Sequence, residues 1–112
     1  MKNSISYTTI FYKRLKIYKR KHRSLVADLE ALEKELLENP TLGISLGNNL
    51  YKIRLAVESK GKGKSGGYRI ITYLIDEHKT GTIVNMLILY DKSEESSIDK
   101  ENLLRLVRIL FS

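Results

Sequence analysis

The chain has 112 residues, a net charge of +7 and a pI of about 9.6, which suits one domain with one modest core and either a polyanionic partner or an acidic protein that neutralises it. Hydrophobic residues make up 42% and charged residues 29%, a balance that excludes a disordered tail. Cysteine is absent, so disulfides and thiolate zinc sites are excluded.

Residues 5–10 are β-prone and read as a first strand. Residues 11–18 read as a short helix with Phe11, Leu15 and Tyr18 on one side. A dense cationic block follows, Lys19-Arg20-Lys21-His22-Arg23. From Ser24 the helical period is clear: Leu25, Leu29, Leu32 and Leu36 fall on one face and form a core stripe. Asn39-Pro40 stops this helix. Residues 41–49 read as a turn-rich connection. Residues 50–57 alternate, with Tyr51, Ile53, Leu55 and Val57 on one face and Lys52 and Arg54 on the other, which predicts a half-buried strand with a cationic face.

The next stretch is the most informative. Lys60-Gly61-Lys62-Gly63-Lys64-Ser65-Gly66-Gly67-Tyr68-Arg69 holds four cations and four glycines in ten residues. It feeds a β-branched and aromatic run, residues 68–75. Glycines let the backbone approach a ligand closely. Arg69 stands where the strand begins, so its guanidinium can be held in one direction, as a phosphodiester requires. Residues 76–81 form a hairpin connection in which Gly81 can take positive φ. Residues 82–90 are the most apolar run and suit a central strand. The last helix, residues 100–110, turns Leu103, Leu106, Val107 and Leu110 inward, with Asp99 as N-cap. The order is β-α-α-β-β-β-α, an α+β domain spanning 1–112: an antiparallel sheet of about four strands with helices packed on one face.

Three segments carry a resemblance. They are Gly47-Asn48-Asn49-Leu50-Tyr51-Lys52-Ile53-Arg54, then Gly63-Lys64-Ser65-Gly66-Gly67-Tyr68-Arg69-Ile70-Ile71, then Leu87-Ile88-Leu89-Tyr90-Asp91-Lys92-Ser93-Glu94 leading to Ile98. In order, size and charge the chain resembles the RelE/ParE-superfamily toxins of bacterial type II toxin–antitoxin pairs, nearest to the HigB/RelE-type branch. The resemblance implies a microbial ribonuclease-like (RelE-like) fold and an endoribonuclease that cuts mRNA on the ribosome. It also implies a cognate antitoxin with a helix-turn-helix pattern, through which alone operator DNA would be bound. Two alternatives share the frame: a ParE-like DNA gyrase poison without catalysis, and a non-cleaving ribosome- or RNA-binding protein.

RNA cleavage without a metal needs the 2′-hydroxyl deprotonated, the phosphorane charge stabilised and the leaving 5′-oxygen protonated. Arg69 corresponds to the strand arginine of the family's active site. Lys64 on the preceding loop and Lys92 after the last strand are expected to reach the same phosphate, the family commonly carrying a basic residue at the latter place. Many RelE-like nucleases carry a tyrosine near the start of the last helix; Ile98 stands near that place here. Tyr90 and Glu94 are therefore the candidate proton carriers, with Tyr68 beside them. Lys62, Lys60, Arg54, Lys52 and Tyr68 are expected to bind RNA. So are Lys19, Arg20, Lys21 and Arg23, within a run of seven lysines and arginines in eleven residues. His78 falls in the hairpin tip away from this cluster and reads as structural. No cofactor and no metal are expected, because the two histidines are far apart and no cluster has ligand spacing. The amino-terminal residues lack a signal-peptide core and no apolar run approaches ~18 residues, so a cytoplasmic location and no membrane span are expected.

Overall fold

The computed structural model describes residues 2–58, 67–94 and 97–111. Their elements are β1 (Ser4–Tyr7), α1 (Thr9–Lys21), α2 (Leu25–Glu38), β2 (Ile44–Gly47), β3 (Leu50–Leu55), β4 (Tyr68–Asp76), β5 (Thr82–Asp91) and α3 (Lys100–Phe111).

β1 stops earlier than its β-prone sequence suggests because Thr8 caps the helix that follows. Its hydroxyl oxygen accepts from the Phe11 amide at 3.0 Å and donates to the Leu87 carbonyl at 2.8 Å. That satisfies one orphan amide of the helix and one carbonyl on the margin of β5. α1 then runs on through Lys19, Arg20 and Lys21, which form its last turn. Cations there complement the helix carbonyl end. α2 buries the predicted stripe of Leu25, Leu29, Leu32 and Leu36, and ends where the Asn39 amide donates to the Glu35 carbonyl at 2.8 Å.

The sheet has five strands in the order β1-β5-β4-β3-β2. The additional strand, β2, lies inside the stretch expected to be a connection. Asn48 and Asn49 have φ of 55° and 64°, so Gly47 and Leu50 pair across a two-residue turn of the kind that favours asparagine at both central positions. β2 to β5 are antiparallel to their neighbours, whereas β1 pairs with β5 in parallel. β1 and β5 are not joined by a hairpin, so nothing imposes the antiparallel sense on them.

The helices cover both faces of the sheet rather than one. α1 and α2 pack on the face that carries Ile53, Leu55, Tyr68, Ile70, Leu74, Val84, Met86 and Leu89. α3 packs on the other, where Leu103 meets a cluster with Leu50, Ile71, Leu87, Ile88 and Tyr90. The reason lies in β4 and β5, which are apolar on both sides and need cover on both. A register shift opposite Ile71 and Thr72 places both Leu87 and Ile88 in the α3-side cluster. At the β4–β5 connection Gly81 has φ of +102°, and a Cβ there would lie 2.1 Å from the Lys2 carbonyl oxygen. Glycine is required at that point. Among the described residues, no helix is long and apolar enough to cross a membrane.

Candidate active site

The register brings three predicted residues into one row. Arg54 on β3 stands opposite Arg69 on β4, and Arg69 stands opposite Tyr90 on β5. Neighbouring strands lie about 4.8 Å apart, so directly opposed side chains touch. Strand alternation sets this row on the α3 face, where Tyr90 joins the cluster that includes Leu103. Lys52, half-buried, follows Arg54 on the same face of β3.

Arg69 is 5% exposed and Tyr90 1%, while Arg54 is exposed. The Arg69 guanidinium donates from Nη1 to the Tyr68 carbonyl at 3.3 Å. Burial lowers its pKa and the Arg54 charge lowers it further, while Tyr90 acts in the opposite sense. An arginine remains protonated regardless.

Lys92 stands in the turn after β5, half-buried, with its backbone amide donating to the Gly67 carbonyl at 3.2 Å. Glu94 closes that turn through its amide to the Asp91 carbonyl at 3.0 Å. Its carboxylate forms an exposed ion pair with Lys21 at 3.2 Å. The contact marks the end of α1, with Lys19, Arg20, Lys21 and then Arg23, as lying at the same end of the molecule as Lys92; all four are exposed. Arg14, farther back on α1, donates to the Leu89 carbonyl at 3.2 Å. With Thr8, it occupies carbonyls of β5 beyond the reach of β1. Lys60, Lys62 and Lys64 lie outside the described residues.

Tyr68 is corrected by the structure. It is fully buried on the α1–α2 face, opposite to Arg69, with its ring 4.9 Å from Tyr18 and 5.8 Å from His22. Adjacent strand residues point to opposite faces, and α1 covers this one. Burial pushes its phenol pKa up, with Asp91 the next cause. It therefore faces away from the row of Arg54, Arg69 and Tyr90. His78 stands at the β4–β5 tip, exposed and at the far end of the strand from Arg69. Ile98 is partly buried against the cluster that includes Tyr90.

Sequence reasoning passed over Asp91. It is 4% exposed, and its Oδ1 accepts from the Ser93 amide at 2.9 Å and the Ser93 hydroxyl at 2.8 Å. The Asp-Lys-Ser string was the available signal, since aspartate commonly bonds its own backbone two residues on. Among the described residues, no group of three or more His, Asp or Glu side chains is placed to hold a metal ion.

The sequence matches no protein-family profile. The fold is that of the Escherichia coli toxin RelE. A structure of that toxin in the free state, with two arginines replaced by alanine, superposes with a TM-score of 0.57 at 21% identity. The match covers 99% of this chain and 100% of that one. The α+β architecture expected from the sequence is therefore RelE-like, with five strands.

Proposed function

We propose that this chain is the toxin of a type II toxin–antitoxin pair, acting in the cytoplasm as a ribosome-dependent mRNA endoribonuclease. The observation that carries the reading is the cross-strand row Arg54–Arg69–Tyr90, with its central guanidinium buried beside a second one. Two guanidiniums set one strand apart suit a phosphodiester, whose oxygens accept bidentate bonds. The RelE-like fold supports the same class of activity.

In this reading the 2′-oxygen attacks phosphorus and the bond to the 5′-oxygen breaks. The 2′-hydroxyl proton passes to a base, and a proton is delivered to the leaving 5′-oxygen. The products are a 2′,3′-cyclic phosphate and a 5′-hydroxyl. Arg69 binds the phosphate and stabilises the charge that grows on it, with Lys92 and Lys64 adding to that field. Arg54 and Lys52 align the neighbouring backbone. Tyr90, next to Arg69 on the same face, is the proton carrier. Glu94, whose carboxylate pairs with Lys21 at the surface, is the second candidate proton carrier. Lys60, Lys62, Lys19, Arg20, Lys21 and Arg23 grip RNA outside the cleavage centre, in a salt-dependent way. The partners are the ribosome with its message and a cognate helix-turn-helix antitoxin, which alone carries the pair to operator DNA.

The test is brief expression in bacteria of the wild type and Arg69→Ala, with mapping of new 5′ ends across cellular mRNA. In-frame cuts in translated regions that vanish in the variant are expected. A DNA-damage response without message loss would favour a gyrase poison instead. Ribosome binding without cut ends would favour a non-cleaving RNA-binding protein.

A further inference from the structure

We propose that Asp91 is a positioning residue that fixes Lys92 beside the Arg69–Tyr90 pair by holding the turn after β5 in one shape. The proposal rests on the nuclease reading above and extends it to a residue on the reverse face of the sheet.

Two adjacent cross-strand pairs close this end of β4 and β5: Arg69 with Tyr90, and Tyr68 with Asp91. Alternation sends them to opposite faces. Asp91 is thus buried behind the site, next to the strand residue in front of it. A carboxylate at that depth is costly unless it is hydrogen-bonded. Both bonds its Oδ1 makes to Ser93 return to the turn. The Asp91 carbonyl accepts the Glu94 amide. The Lys92 amide itself donates to Gly67, two residues before Arg69. Residue 92 is therefore held from three sides: by the ladder before it, by Ser93 bonded back to Asp91 after it, and by its own amide across to the start of β4. A lysine on a slack loop loses backbone as well as side-chain freedom when it meets a phosphate, whereas one on a turn fixed in advance loses side-chain freedom alone. An apolar side chain would suit a position beside Tyr68 as filler. A buried acceptor aimed at its own turn suits the shaping of that turn.

The experiment is single-turnover cleavage of a message programmed on purified ribosomes, with folding of each variant followed by circular dichroism. Lys92→Ala and Asp91→Ala are each expected to slow cleavage about tenfold, and the double variant to be no slower than Lys92→Ala alone, because both changes remove one function. Asp91→Asn is expected to restore most of the rate, since an amide oxygen can still accept from Ser93. Ser93→Ala is expected to slow cleavage about threefold in the wild-type background and not at all in Lys92→Ala. That second cycle decides the question if Asp91→Ala does not fold. Multiplicative effects in the double variants would overturn the proposal. So would an inert Lys92→Ala in a protein that Arg69→Ala silences. If the wild-type protein leaves the programmed message uncut, the nuclease reading falls and the positioning role falls with it; if it cuts and Arg69→Ala cuts equally well, the site built on Arg69 falls, and the positioning of Lys92 beside it falls too.

Discussion

Arg69 and Tyr90 stand opposite one another in the β4–β5 ladder, on the sheet face that α3 packs against. Both side chains are almost wholly buried, and Arg54, the third member of the row, is exposed. Their neighbours Tyr68 and Asp91, one residue away on each strand, point the other way. One short segment of two strands therefore presents a candidate reacting face in front and a supporting cluster behind.

Arg69→Ala should lower cleavage by about a hundredfold or more, the scale expected when a donor aimed at developing charge is lost. Arg69→Lys should recover only part of this, because an ammonium lacks the planar fork. The measurement is the single-turnover rate on programmed ribosomes. A rate within about twofold of wild type for a folded Arg69→Ala would reject the assignment.

Tyr90→Phe should slow cleavage at least tenfold, in the range that loss of a proton carrier brings. Tyr68→Phe should not, because its ring faces Tyr18 and His22 on the other side of the sheet. The same assay run on the pair separates the two tyrosines.

Stability should fall at alkaline pH. Tyr68 and Tyr7 both have phenol pKa values raised in the folded protein, first by burial; Asp91 adds to the shift of Tyr68, and the hydrogen bond to Glu33 adds to that of Tyr7. Their contribution is fully present below the unfolded phenol value, about 10, and is lost as pH rises toward the folded values, because the unfolded chain gives up those protons first. Denaturant midpoints should decline above about pH 10, and the decline should be shallower in Tyr7→Phe and Tyr68→Phe. Equal slopes in all three proteins would contradict the assignment.

Thr8→Ala should destabilise the fold by about 2 kcal/mol, since it removes a helix cap and leaves a buried carbonyl of β5 without its donor. Thr8→Ser should retain most of the stability. Urea midpoints at constant m-value measure both.

The elements most legible in the sequence were those with a strong period. The leucine stripe of α2, the alternation of β3 and the apolar run of β5 each carry their own signal, because burial of one face, or of both, writes itself into the spacing of apolar residues. Arg69 was legible for a related reason, as a cation at the head of such a run after a glycine-rich basic stretch. β2 was not legible: it is four residues long, mostly exposed and at the sheet edge, so no burial pattern marks it. Asp91 was equally silent, since a single aspartate near a turn reads the same whether it is exposed or buried.

A period of two puts Tyr68 and Arg69 on opposite faces, which the sequence reading, by setting both at one site, left unused. It did not determine which of those faces is open, because a period of two is symmetric between them. That choice was made by tertiary packing: α1 and α2 closed over Tyr68, α3 closed over the cluster of Leu50, Ile71, Ile88 and Tyr90, and Arg54, opposite Arg69 in the same row, was left exposed. An amphipathic helix records which of its sides is buried but not which side of a sheet it will cover. The composition of the site was therefore written locally, and its direction was decided by how the helices distribute over a sheet that is apolar on both sides.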